Sequence, residues 1–150
     1  MTAPVIRDAH PADRDDWLRL WQGYLEFYGA ALDDAVTAMT WSRIIDPVSA
    51  VFTRLALVNG VVAGFATCIL HPRTWAVEPA CYLEDLFVDP ARRGSGIGRA
   101  LIDDLIATGR RDGWTNLYWH TNADNAQARR LYDSYDKADG FVRYRLPLRK

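Results

Sequence analysis

Cysteine is scarce in this sequence, with two in 150 residues, Cys68 and Cys81. Both sit inside apolar runs and neither forms a C-x-x-C pair, so they read as small buried hydrophobes in a reducing compartment rather than as a disulfide scaffold or metal ligands. Net charge is also nearly absent, at a formal -1. That removes any bulk electrostatic drive toward nucleic acid or anionic membrane, and neither is expected as a partner. No apolar stretch approaches the roughly 18 residues that suggest a membrane span. The opening Met-Thr-Ala-Pro-Val-Ile-Arg lacks the basic and apolar regions of a secretory signal, so a cytoplasmic location is expected. There is no internal repeat, low-complexity tract or linker, and residues 1–150 read as a single domain. The three histidines, His10, His71 and His120, lie at element ends without neighbouring ligands; they read as structural or surface residues, and no metal is expected.

What is present is a regular alternation of elements. Val5 to Asp8 reads as a short strand, and Pro11 suits a first helical turn. Trp17, Trp21, Tyr24 and Tyr28 follow at spacings that stack them on one helix face, with Gly29 as a stop. A second helix is predicted from about Asp33 to Ile45, ended by Asp46-Pro47. Phe52 to Val58 and Val61 to Leu70 flank Asn59-Gly60, a strong hairpin signal because that pair accepts positive φ. Tyr82 to Val88 reads as a strand stopped by Asp89-Pro90. A helix with an apolar stripe of Ile97, Leu101, Ile102, Leu105 and Ile106 comes next. Trp114 to Thr121 then reads as a strand, and a helix capped by Asp124 or Asn125 carries Ala128, Leu131, Tyr132 and Tyr135. Phe141 to Leu148 is predicted as a last strand. The order β-α-α-β-β-β-α-β-α-β implies an α/β fold with a mixed sheet and helices on its faces.

Arg93-Gly94-Ser95-Gly96-Ile97-Gly98-Arg99 falls between a strand end and a helix start, with Arg92 before it. Glycine lets backbone approach a ligand, helix-start amides favour anions, and arginines add charge-assisted bonds to phosphate. The segment therefore reads as a pyrophosphate cradle or as a flexible basic loop. It is not a Walker A loop, since Gly98-Arg99-Ala100 lacks Gly-Lys-Ser/Thr. It lacks the Rossmann spacing and its distant acid. Arg93 also stands where a nucleophile elbow needs glycine.

The segment matches the [RQ]-x-x-G-x-[GA] signature and resembles the GNAT acetyltransferase superfamily. Tyr82-Leu83-Glu84-Asp85-Leu86-Phe87-Val88 resembles the fourth strand of diamine (spermidine/spermine) N-acetyltransferases. Asn125-Ala126-Gln127-Ala128-Arg129-Arg130-Leu131-Tyr132 resembles the superfamily's N-x-x-A-x-x-L-Y helix. Trp119 to Tyr132 with Gly140-Phe141 is similar to the branch containing histone and D-amino-acid N-acetyltransferases. The resemblance spans roughly residues 50 to 146. One departure is the insertion Asp133 to Asp139 before Gly140-Phe141, which implies a longer helix.

The resemblance implies a central, mostly antiparallel twisted sheet of six to seven strands with about four flanking helices. It implies an N-acetyltransferase moving acetyl from acetyl-CoA to a primary amine by direct attack in a ternary complex. Arg93, Gly94, Ser95, Gly96, Ile97, Gly98 and Arg99 would hold the pyrophosphate. The backbone of Leu86, Phe87 and Val88 would hold the pantetheine arm, with the Val88 amide as oxyanion donor. Asn125 would contact the arm near its thiol end, and it also reads as a simple helix cap. Tyr132 is the candidate general acid, because a phenol can protonate a departing thiolate; it also reads as an amphipathic helix residue. Glu84 is the candidate base, direct or through water, and also reads as a structural ion-pair acid. Asp85 is expected on the opposite strand face.

By the same resemblance the N-terminal helices form one wall of the acceptor pocket. Tyr28, Asp33, Asp34, Trp75 and Glu78 are candidate acceptor contacts, and equally solvated loop or packing residues; Trp75 and Glu78 are expected in a loop before the strand of Glu84. A small cationic amine, such as a polyamine or amino compound, is the expected acceptor. Lysine of a basic protein is the alternative, as are a non-catalytic acyl-CoA sensor and a different nucleotide-binding α/β domain. A homodimer, sharing the C-terminal strand in some relatives, is expected.

Overall fold

The computed structural model describes residues 2–149. By compactness these fall into two units, Met1–Trp119 and His120–Lys150, each taken here by itself.

The first unit is a five-stranded sheet in sequence order, β1 (Val5–Asp8), β2 (Val51–Val58), β3 (Val61–Arg73), β4 (Ala76–Val88) and β5 (Leu117–Tyr118). The first three pairings are antiparallel and β4 with β5 is parallel, so α3 (Ile97–Asp112) is the crossover between them. The expected β2–β3 hairpin is present, with Asn59 at φ 51° and Gly60 at φ 79°. β3 and β4 run further than the apolar pattern suggested, reaching Arg73 and starting at Ala76. Their tips are solvent-facing, so hydrophobicity does not mark them.

A single turn of 3-10 helix, Pro11–Asp13, leads into α1 (Arg14–Phe27), and α2 (Asp34–Ile45) follows. The aromatic stripe of α1 packs as its spacing requires. Trp17 lies 5.4 Å from Trp21 and 4.9 Å from Trp41 of α2, and Trp21 lies 6.3 Å from Phe65 of β3. These rings, with Leu20, Ile44, Leu55, Val62 and Phe87, form one buried core. A Cβ on Gly64 would meet Ile97 and Leu101 of α3. Side chains alternate along a strand, so Gly64 and Phe65 put α3 and α1 on opposite faces of the sheet. Arg54 ties β2 to both neighbours, bonding Asp104 of α3 at 2.8 Å and Asp8 of β1 at 2.8 Å. Cys68 and Cys81 are free and buried, as expected.

The second unit holds α4 (Ala126–Asp133). Asn125 caps it, accepting from the Ala128 amide at 3.1 Å. Two expectations fail here. The helix is short rather than extended, ending at Ser134, whose hydroxyl turns back on the Leu131 carbonyl. The predicted strand over 141–148 does not form, and Phe141 and Tyr144 are 91% and 94% exposed. The alternation of that tail favours a strand, but none forms over 141–148 among the described residues. The predicted strand over 114–121 is likewise reduced to Leu117–Tyr118. The sheet therefore has five strands, not six or seven.

Candidate active site

The site begins at an irregularity in β4. Thr67 stands opposite Asp85 and Cys68 opposite Leu83, which leaves Glu84 as the extra residue of a β-bulge. A bulge breaks the side-chain alternation, so Asp85 is not simply on the face away from Glu84 as strict alternation predicted. Asp85 accepts a 2.7 Å hydrogen bond from the Tyr24 hydroxyl of α1. Burial pushes its carboxyl up to about 6, with the Glu84 charge adding to the rise while the Tyr24 bond opposes it. Burial and the Asp85 carboxylate push the Tyr24 phenol above its ordinary range. Glu84 itself is exposed. The sequence offered Glu84 and missed the Tyr24–Asp85 contact beside it, because Tyr24 read as part of a packed helix face and a bulge leaves no signal in an apolar strand.

β5 pairs with β4 only at Cys81 and Tyr82, so Leu83 to Val88 have no strand on that side. The Asp89 amide donates to the Ala63 carbonyl at 2.8 Å, toward β3. Val88, one residue earlier, faces its backbone the other way: its carbonyl accepts from Arg93 Nε at 3.2 Å. In an antiparallel ladder the N–H and C=O of one residue share a side, so the Val88 amide also lies along this edge.

The glycine turn follows directly. Asp89 accepts from the Ala91 amide at 3.0 Å, and the Ser95 hydroxyl donates to the Arg92 carbonyl at 2.6 Å, which fixes the loop's entry. Gly94 and Gly96 have φ of 84° and 81°, and a Cβ at either would point into open space. Glycine is required there by backbone shape, since other residues are strained in this region. Gly96 is the N-cap of α3 and no side chain caps the helix. The first amides of that helix, at Ile97, Gly98 and Arg99, carry the positive end of the helix dipole.

The remaining candidates are more scattered. Tyr28 is the C-cap of α1, 57% exposed, with its ring 5.0 Å from that of Tyr24. Asp33 and Asp34 are exposed at the start of α2. Trp75 lies in the tight β3–β4 turn and Glu78 within β4, rather than in a loop before it. Glu78 is six residues from Glu84, about 20 Å along an extended strand; the structure does not bring Trp75 or Glu78 to Glu84. Asn125 and Tyr132 belong to the second unit, on α4, where Tyr132 is half-buried.

Comparison with known proteins agrees with this geometry. The model of the Acetyltransferase (GNAT) family matches residues 9–135. A D-amino-acid N-acetyltransferase of Saccharomyces cerevisiae is 32% identical over 130 residues, covering 85% of this chain and 81% of that protein. An aminoglycoside N(6')-acetyltransferase type 1 of Stenotrophomonas maltophilia is 32% identical over 152 residues, covering 98% and 95%. Among solved structures, AAC(6')-Iy in complex with the bisubstrate analogue CoA-S-monomethyl-acetylneamine superposes with a TM-score of 0.80 at 18% identity, covering 97% of this chain and 99% of that one. A bulged strand with one open edge, running into an uncapped glycine turn, thus coincides with a family match over most of the sequence: the chain belongs to the GNAT acetyltransferase family and is an acetyl-CoA-dependent N-acetyltransferase.

Proposed function

We propose that residues 1–150 form one acetyltransferase domain whose acceptor is a small cationic amine. The observation that carries this reading is the pair of adjoining carboxylates at the β4 bulge. Glu84 is exposed there, and Asp85 is held by Tyr24 against the aromatic end of α1. An ammonium group is attracted to such a pair and to the exposed ring of Tyr28 beside it. Asp33 and Asp34, exposed at the start of α2, are further candidate acceptor contacts. Relatives that act on D-amino acids and aminoglycosides fit the same class of acceptor.

The cofactor is assigned to the turn and the open strand edge. The amides from Gly94 to Arg99, with Ser95, Ile97 and nearby arginines, hold the pyrophosphate, and the backbone of Leu86, Phe87 and Val88 holds the arm. Bound there, acetyl-CoA supplies an activated acetyl thioester. Glu84 takes a proton from the acceptor nitrogen, directly or through one water. The Val88 amide offers a hydrogen bond where negative charge develops. Asn125 orients the arm, and the phenol of Tyr132 would protonate the departing sulfur as the acceptor nitrogen bonds to the acetyl carbon and the C–S bond breaks. No covalent enzyme nucleophile is required.

The test is an acceptor screen with acetyl-CoA that detects free CoA, covering polyamines, D- and L-amino acids, aminoglycosides and a histone peptide. Turnover with one of the small amines supports the reading; activity confined to the peptide overturns it. We further propose that two copies associate through the exposed apolar tail of Phe141, Val142, Tyr144, Leu146 and Leu148. Light scattering on the full chain and on a chain ending at Gly140 checks this; an unchanged mass contradicts it. No helix among the described residues is long and apolar enough to cross a membrane, and a cytoplasmic location is the reading proposed with it.

A further inference from the structure

Arg93 opens the glycine turn, and its side chain reaches β4 and the end of α1. Its guanidinium carbon lies 5.1 Å from the ring centre of Phe27, the last residue of α1, and 5.4 Å from that of Phe87 in β4. Its Nε donates to the Val88 carbonyl. One planar cation therefore touches three elements: the turn, the open edge of β4 and the end of α1. Beyond Phe87 the contacts continue to Tyr24, 5.8 Å away ring to ring, and through its hydroxyl to Asp85.

We propose that Arg93 is a positioning residue whose side chain fastens the glycine turn to the C-terminal end of α1, so that the cofactor cradle and the acceptor-side wall are held as one unit. A guanidinium presents flat faces to aromatic rings while its in-plane N–H groups donate, and this combination is what the contact uses. The two rings and the Val88 carbonyl together hold this group between the turn, β4 and the end of α1. The Arg93 backbone remains part of the cradle, and Arg92 and Arg99 flank the same turn. This rests on reading the turn as the acetyl-CoA cradle.

The test compares wild type, Arg93→Met, Phe27→Leu, their double variant and Arg99→Met. Hydrogen exchange is followed at the Tyr28, Gly29 and Ala30 amides, which bond to the carbonyls of Tyr24, Glu26 and Leu25. Acetyl-CoA affinity is measured at low and high salt. Arg93→Met is expected to speed exchange of these amides about three-fold or more. Phe27→Leu is expected to do the same, the double variant no more than either single one, and Arg99→Met not at all. A positive charge near the phosphates adds a salt-screened attraction even without contact, so Arg93→Met and Arg99→Met should both flatten the salt dependence of acetyl-CoA binding, and the exchange comparison is what separates them. Unchanged exchange in both Arg93→Met and Phe27→Leu overturns the proposal. So does an Arg93→Met variant that flattens the salt dependence while α1 is undisturbed, which would leave Arg93 a charge near the phosphates and nothing more. Phe27→Leu probes the same contact from the other side if Arg93→Met does not fold. Wild-type protein that fails to bind acetyl-CoA would refute the cradle reading, while the exchange comparison would still decide the contact.

Discussion

The hydroxyl of Tyr24 and the carboxylate of Asp85 meet at 2.7 Å, joining helix α1 to strand β4 beside the bulge at Glu84. This contact holds a carboxyl in a half-buried place where ionisation is disfavoured. Its folded-state value of about 6 lies above the ordinary 3.8. Protonated in both states below about pH 4, Asp85 has no effect on stability there. Above about pH 6 it is ionised in both, and the fold carries the full cost, at most on the order of 3 kcal/mol. Asp85→Asn is therefore expected to be about 1–2 kcal/mol more stable than wild type at pH 7.5, with the gap closing toward pH 4. Urea unfolding at both pH values checks this.

Glu84→Gln removes the proposed proton acceptor from an exposed position, so folding should be unaffected. Its kcat/KM should fall by about 100-fold or more, and the acidic limb of the wild-type pH–rate profile should disappear. A variant that keeps that limb assigns the base elsewhere.

Tyr132→Phe keeps the ring on α4 and deletes only the hydroxyl. The expected result is a kcat lower by roughly 10- to 1000-fold with acetyl-CoA affinity little changed. Steady-state kinetics with an acceptor found in the screen, alongside direct acetyl-CoA binding, make the comparison. Unchanged turnover leaves Tyr132 as a packing residue.

Two glycines separate cradle position from stability. A Cβ on Gly64 would lie 3.0 Å from the Phe87 carbonyl oxygen and 3.1 Å from Ile97 Cγ2, wedging β3 against the first turn of α3. A Cβ on Gly109 would lie 2.7 Å from the Trp114 ring, at the far end of the same helix. Both alanine variants should lose about 1–3 kcal/mol. Only Gly64→Ala should also weaken acetyl-CoA binding, because it displaces the amides after Gly96. Thermal unfolding and calorimetric titration of the two variants test the distinction.

The legible parts of this molecule are those fixed by local chemistry. Asn59-Gly60 admits the positive φ of a tight hairpin, the Trp17–Trp21–Tyr24 spacing marks one helix face, and Gly94 and Gly96 sit where the backbone turns left-handed. Asn125 caps its helix as read. The bulge at Glu84 was not legible, since an extra residue in a strand changes register without changing composition. The Tyr24–Asp85 and Arg93–Phe27 contacts join residues 61 and 66 positions apart, and no local pattern announces such pairs. The tail from Phe141 to Leu148 shows the opposite failure. Its residues favour a strand, but a strand needs a partner edge, and propensity cannot supply one.

The central claim is that acetyl-CoA seats its phosphates on the backbone from Gly94 to Arg99. Amide NMR of the labelled protein during titration with acetyl-CoA tests it most directly. Large, saturable shifts of the Gly94, Gly96, Gly98 and Arg99 amides, with smaller ones along Leu86 to Val88, are the predicted result. Saturable binding that leaves those four amides unmoved would contradict it.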